Sequence, residues 1–204
     1  MSKSERFKVA REAALLLYYR LAFEFKQAKE RAAEALGAQI LPSNFEVAVE
    51  FDRLADEIEG SARRDLIVQM RREALGIMEC LQEFHPRLVG SVWRGTACRG
   101  SDIDVLIYSA NPEVVTAALL KHGFKIIRTE WRLKTEKGVT KTYFHIFISL
   151  SSGDTAEVTV RSPEDLEMVE KCDIYDDLIT GLRLSQLREI LSIDPLRRFV
   201  PKEK

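Results

Sequence analysis

The sequence predicts an α+β fold, with a helical region first and then a small mixed sheet with flanking helices. Three observations carry this. Apolar residues recur close to every 3.6 positions as far as Phe84. From Leu88 onward, short β-branched runs flanked by Gly and Ser replace that pattern. The composition, 46% hydrophobic and 31% charged over 204 residues, is that of an ordinary globular chain able to bury a core without staples. The expected division is an N-terminal helical region over 1–61, a mixed core over 62–163, and C-terminal helices with a tail over 164–204.

Val9, Ala13, Leu16, Leu17, Leu21 and Phe25 share one helical face, so Ser4 to Leu36 reads as one long helix capped by Gly37. Its aromatic residues are read as packing, within the chain or across a homodimer. Ser43 or Asn44 caps a helix running to about Glu59, and Gly60-Ser61 breaks it. A third helix runs from about Ala62 to Phe84 until His85-Pro86 stops it. Leu88 to Val92 and Ile103 to Tyr108 read as strands. Asn111 and Pro112 start a helix that ends near Gly123. Lys125 to Leu133, Lys141 to Leu150 and Ala156 to Arg161 read as further strands, with turns at Gly138 and at Ser152-Gly153-Asp154. Ser162-Pro163-Glu164 reads as a helix start, Ser185 to Leu191 as a last short helix, and the tail from Pro195 as loose.

The 31 basic and 32 acidic residues leave a net charge of −1, which excludes bulk polybasic binding of nucleic acid. Cys80, Cys98 and Cys172 are widely spaced and no zinc-ligand pattern occurs. Reduced thiols, no leader sequence and no apolar run of about 20 residues together predict a cytoplasmic protein with no membrane span.

The stretch Val89 to Ser109, VGSVWRGTACRGSDIDVLIYS, carries the chemistry. Strand alternation puts Asp102 and Asp104 on one face while Ile103, Val105 and Ile107 point into the core. Two neighbouring carboxylates repel, a divalent cation between them removes that cost, and an all-oxygen set suits Mg²⁺. Just upstream, Gly90 permits close backbone approach and Ser91 offers a hydroxyl and an amide, a seat for phosphate oxygens if a helix begins there.

Gly90-Ser91, ten residues, then Asp102-Ile103-Asp104-Val105 resembles the signature of the polymerase-β-type nucleotidyltransferase superfamily. Arg94-Gly95-Thr96 and Ser101-Asp102-Ile103-Asp104 are most similar to archaeal CCA-adding enzymes and minimal nucleotidyltransferases. The resemblance covers about Leu88 to Arg161. It implies a nucleotidyltransferase fold, an NTP substrate, two Mg²⁺ ions (Mn²⁺ serving as well), and a third carboxylate on a later strand. Glu157 is the candidate, sharing one face of its strand with Thr159 and Arg161, and Asp154 is the fallback. Asp102, Asp104 and Glu157 are then the catalytic and metal-holding residues, with Gly90, Ser91, Arg94, Arg99 and Ser101 on the nucleotide. The acceptor is an RNA end, a protein or a small molecule. CCA addition is not expected, since the large tRNA-binding domains of those enzymes do not fit after the core.

Lys121, Lys125, Arg128, Arg132, Lys134, Lys137 and Lys141, interleaved with Trp131 and Tyr143, read either as an RNA face or as a solvated hairpin balanced by Glu130 and Glu136. His145 reads as a hydrogen-bonded sheet histidine before a catalytic one, and Cys98 as incidental. An antitoxin-like regulatory module that binds nucleotide or protein is the alternative function on the same fold.

Overall fold

In the computed structural model, which describes residues 3–136 and 139–201, six strands form one mixed sheet in the order β3-β4-β5-β2-β1-β6. The chain packs as two units, Met1–Arg63 with Lys171–Leu178 and Pro201–Lys204, and Arg64–Glu170 with Ile179–Val200. The Gly138 turn and Lys137 lie outside the described residues.

The first unit is helical. Where one long helix is expected, there are two, α1 (Lys3–Tyr18) and α2 (Phe25–Leu36). No Gly or Pro marks the break. Arg20 takes a left-handed φ of 56°, and the amides of Leu21 and Ala22 both donate to the Leu16 carbonyl. The reversal lets Ala22 join Val9, Ala13, Ala28, Ala32 and Val47 in a core built largely of alanine. Small side chains allow close helix approach, so tertiary packing outweighs the local helical pattern. Ser43 caps α3 (Asn44–Glu59) through a reciprocal box with Glu46. The buried Arg63 pairs with Asp52 at 2.6 Å and Asp56 at 2.7 Å. Within 171–178, the Asp173 carbonyl accepts from Asn44, and Tyr175 meets Phe45 edge-on.

The second unit holds the sheet: β1 (Arg87–Val89), β2 (Ile103–Tyr108), β3 (Lys125–Glu136), β4 (Val139–Ser149), β5 (Thr155–Arg161) and β6 (Leu182–Arg183). β2 and β5 run parallel and the other pairs are antiparallel. Ile103, Val105 and Ile107 on β2, Ala156, Val158 and Val160 on β5, and Ile146 and Ile148 on β4 form one apolar face. It packs in a common core with Met70, Ile77 and Leu81 of α4 and its C-terminal extension, Val115 and Leu119 of α6, and Leu187 and Ile190 of α7. Here α4 is Ser61–Cys80, α5 Gly90–Arg94, α6 Pro112–Lys121 and α7 Leu184–Ile193. The opposite face carries the polar phase of each strand.

Four local expectations change. The first strand stops at Val89, and residues 90–94 form α5 instead of continuing it. Ser162-Pro163-Glu164 begins a single 3-10 turn, Pro163–Asp165, not a helix, because Asp165 is drawn in to pair with Lys141. The long third helix ends at Cys80, followed by a 3-10 turn over Gln82–Phe84. The tail is not loose up to Val200. The Phe199 amide donates to the Arg94 carbonyl at 2.9 Å, and the Phe199 ring stacks on Trp93.

Arg71 explains much of that order. Its fully buried guanidinium donates to the carbonyls of Val92, Trp93, Pro195 and Arg197 at 2.8–3.1 Å. The backbone turn at Gly95 and Thr96 answers the Ser91 and Val92 carbonyls, and Arg71 adds a donor to Val92, supplies one to Trp93 and ties down the tail. Burial lowers its pKa to about 10, with Asp194 opposing the shift, so it stays charged at neutral pH. Arg71→Met removes four hydrogen bonds together and leaves the Trp93, Pro195 and Arg197 carbonyls without that donor. The expected cost is about 2–4 kcal/mol, read as a lower urea midpoint at unchanged slope. Among the described residues no helix is long and apolar enough to cross a membrane.

Candidate active site

Strand pairing decides which side chains meet. In the parallel β2–β5 ladder, Asp104 lies directly opposite Glu157, and in the antiparallel β1–β2 ladder Val89 lies opposite Asp104. Directly paired residues project to the same face. Asp104 and Glu157 therefore share the polar face of the sheet, with Asp102 just ahead of β2.

The chain leaves β1 at Val89 and turns at once into α5. Gly90 has φ 70°, and a Cβ there would lie 2.0 Å from Asp104 Oδ2. The Asp104 carboxylate thus rests against bare backbone, and glycine is required for that close approach as well as for the left-handed turn. Ser91, half-buried, opens the first turn of α5 beside it.

The electrostatics match this crowding. Burial first, then the neighbouring carboxylates of Glu157 and Asp102, push the Asp104 pKa up to about 7. Asp102 is exposed and accepts a hydrogen bond from the Thr155 hydroxyl. Glu157 is turned toward β4 and β3: its Oε1 lies 2.5 Å from His145 Nδ1 and 3.3 Å from Arg132 Nη1. Among the described residues, no three His, Cys, Asp or Glu side chains converge closely enough to hold a metal ion as they stand. The candidate donors are nonetheless all carboxylate oxygens, and the charge of Glu157 and Asp102 adds to the cost of ionising Asp104, a cost that a hard divalent ion relieves.

The nucleotide-side expectations divide. Gly90 and Ser91 lie beside Asp104. Ser101 closes its own loop, its hydroxyl accepting from the Cys98 amide at 3.0 Å. Arg99 is exposed in that loop. Arg94 departs from its expected place on the triphosphate. Its guanidinium is buried, stacks 4.5 Å from the Trp93 ring centroid and donates to the Phe199 carbonyl. The last turn of a five-residue helix directs that side chain to the tail, where an apolar surface and a carbonyl already receive it. Asp154 sits in the turn before β5, with its amide on the Ser152 hydroxyl.

Sequence reading missed Thr155, named Arg132 only as one of a basic run, and found His145 without its partner. The signal was present in the alternation of β4: Tyr143, His145 and Phe147 share one phase, and pairing β4 with β5 sets Phe147 opposite Glu157. Only the non-local pairing was lacking. The basic segment is largely answered from within. Arg132 pairs with Glu130 and Glu157, Lys134 with Glu170 at 2.8 Å, and Lys141 with Asp165, while Arg128 lies over the Phe147 ring. Lys121 and Lys125 are exposed, and Trp131 is 60% exposed beside Phe144.

Residues 82–155, which contain β1, α5, β2, the hairpin and the turn into β5, match the family model of the nucleotidyltransferase domain. Over that stretch the chain is similar to a nucleotidyltransferase domain. Its fold is the mixed sheet with flanking helices described above, preceded by a helical region. No curated protein matches the chain. Among solved structures, a cytoplasmic RNA terminal U-transferase matches at 16% identity and a TM-score of 0.34, covering 55% of this chain and 35% of that one. Cid1 bound to the UTP analogue UMPNPP matches at 17% identity and a TM-score of 0.35, covering 55% of this chain and 36% of that one. A further structure of Cid1 poly(U) polymerase gives 17% and 0.35, with 56% and 37% covered. The chain thus spans little more than a third of the length of each.

Proposed function

We propose that the chain carries a nucleotidyltransferase domain, which moves a nucleoside monophosphate from an NTP to an acceptor hydroxyl with release of pyrophosphate. The observation that carries this reading is the pairing of Asp104 with Glu157 across the parallel ladder, beside Asp102 and against the bare backbone of Gly90. In the proposed reaction the acceptor oxygen forms a bond to the α-phosphorus, the bond from that phosphorus to the bridging oxygen breaks, and pyrophosphate carries away the electron pair. Asp102, Asp104 and Glu157 would hold two Mg²⁺ ions, with Mn²⁺ as a substitute. Such ions, when bound, neutralise triphosphate charge and lower the pKa of the acceptor hydroxyl. The protein's own part is positioning: Gly90 and the α5 turn set the triphosphate against the carboxylates, and Ser91 and Arg99 face its oxygens. The acceptor is an RNA end, a protein or a small molecule, in a cytoplasmic setting, and a homodimer through the N-terminal helices is compatible with the helical region.

A second reading, a regulatory module that binds nucleotide or protein without turnover, draws support from one feature. Glu157 is occupied by His145 and Arg132, and does not join the aspartates. Turnover separates the two. With α-labelled NTP, Mg²⁺ and total RNA, the enzyme transfers label to an acceptor, and Asp102→Asn with Asp104→Asn removes it. Nucleotide binding with no transfer to RNA, protein or small acceptors would leave the regulatory reading standing.

A further inference from the structure

At the β1–β6 edge of the sheet, a cavity of about 470 Å³ is lined in part by His85, Arg87, Glu167, Arg183, Ser185 and Arg188. It includes none of Gly90, Ser91, Asp102, Asp104 or Glu157. Arg87 is the informative side chain. It is only 8% exposed, yet among the described residues it has no hydrogen-bond or ion-pair partner. Its guanidinium opens onto the cavity with its donors uncommitted, so they are available to an anion that enters there.

Two further features act in the same direction. The β1–β6 register sets Arg183 directly opposite Arg87, so two like charges face each other on one side of the sheet. Such a pair is destabilising unless an anion lies between them. The arrangement is also built, not accidental. Gly181 (φ 62°) closes onto the Arg87 stem, and a Cβ there would lie 2.6 Å from Arg87 Cγ and 2.7 Å from the Leu88 carbonyl oxygen. Leu184 and Ser185, in the first turn of the ten-residue α7, line the same cavity and bring unpaired helix amides to it. Arg188 is held by Glu79 at 2.8 Å, and Glu167 is the only carboxylate among the lining residues.

We propose that this cavity binds a phosphate monoester, separately from the catalytic face around Asp104. Paired arginines at a helix start match the dianion by charge and by bidentate geometry. A volume of about 470 Å³ accommodates a mononucleotide as readily as the phosphorylated end of an oligonucleotide.

The test is calorimetric titration of the full chain with inorganic phosphate, with AMP and adenosine, and with a trinucleotide with and without its 5′-phosphate. Phosphate binding is expected in the wild type and equally in Asp102→Asn with Asp104→Asn. It is expected to weaken about tenfold or more in Arg87→Gln and in Arg183→Gln. Arg183 is exposed, so its variant keeps the test valid should Arg87→Gln fail to fold. Tighter binding of either phosphorylated probe than of its unphosphorylated counterpart supports the proposal and says which source the site serves. No phosphate binding, unchanged affinity in Arg183→Gln, or loss of binding in the aspartate variant would overturn it.

Discussion

Asp104→Asn abolishes nucleotide transfer and makes the metal-free protein more stable. The second half of this expectation is the more diagnostic. The Asp104 carboxyl is held at about 7 in the folded chain, against 3.8 when unperturbed, by burial and then by Glu157 and Asp102. A raised carboxyl pKa means that the folded state disfavours the charge. Between about pH 4 and 7 the folded chain binds more protons here than the unfolded one, so stability falls as pH rises through that window. Above it the whole cost is present, at most about 4 kcal/mol from the size of the shift. Asparagine keeps the shape and removes the charge. In chelator at pH 8 the variant is expected to melt about 4–10 °C above wild type, and the gap is expected to close toward pH 4. A gain in stability with loss of activity is the signature of a residue kept for function. An equal or lower melting temperature at pH 8 would mean that the carboxylates do not crowd.

Gly90→Ala is expected to reduce transfer by about 10²-fold or more while leaving the fold intact. The added methyl would meet Asp104 Oδ2 at 2.0 Å at a backbone φ of 70°. The backbone on both sides is held, so it is the Asp104 carboxylate that must swing away. Asp104 lies on β2 between two paired strands, and α5 is fixed at its far end by Arg71 and by the tail. The left-handed backbone adds about 1 kcal/mol of strain. Kinetics on the variant, with circular dichroism as the control for folding, check this. Wild-type activity in Gly90→Ala would show that the Gly90–Asp104 contact plays no part in the reaction.

The parts of this protein that were legible in its sequence are those set by local rules. Alternation placed Asp102 and Asp104 on one face of β2 and Glu157 on the matching face of β5, because a period of two leaves no freedom once a strand is recognised. Asn111 and Pro112 gave α6 its start, and Ser43 with Glu46 gave α3 its cap, since each satisfies a named backbone group. What was not legible depended on distant segments. The break after Tyr18 follows from alanine packing against α2, with no Gly or Pro to announce it. The inward turn of Arg94 depends on Phe199, more than a hundred residues away, and the His145–Glu157 contact on the order of strands in the sheet. Asp165 was taken from an expected helix by Lys141, a partner that only the β4 position supplies.

The central claim is that Asp102, Asp104 and Glu157 form one cation-holding group for a nucleoside triphosphate. The most direct measurement is Mn²⁺ titration followed by electron paramagnetic resonance, in the presence of a non-hydrolysable NTP. Bound Mn²⁺ is expected in the wild type, none in Asp104→Asn, and affinity lower by about tenfold or more in Glu157→Gln. Mn²⁺ binding that is the same in all three proteins would contradict it.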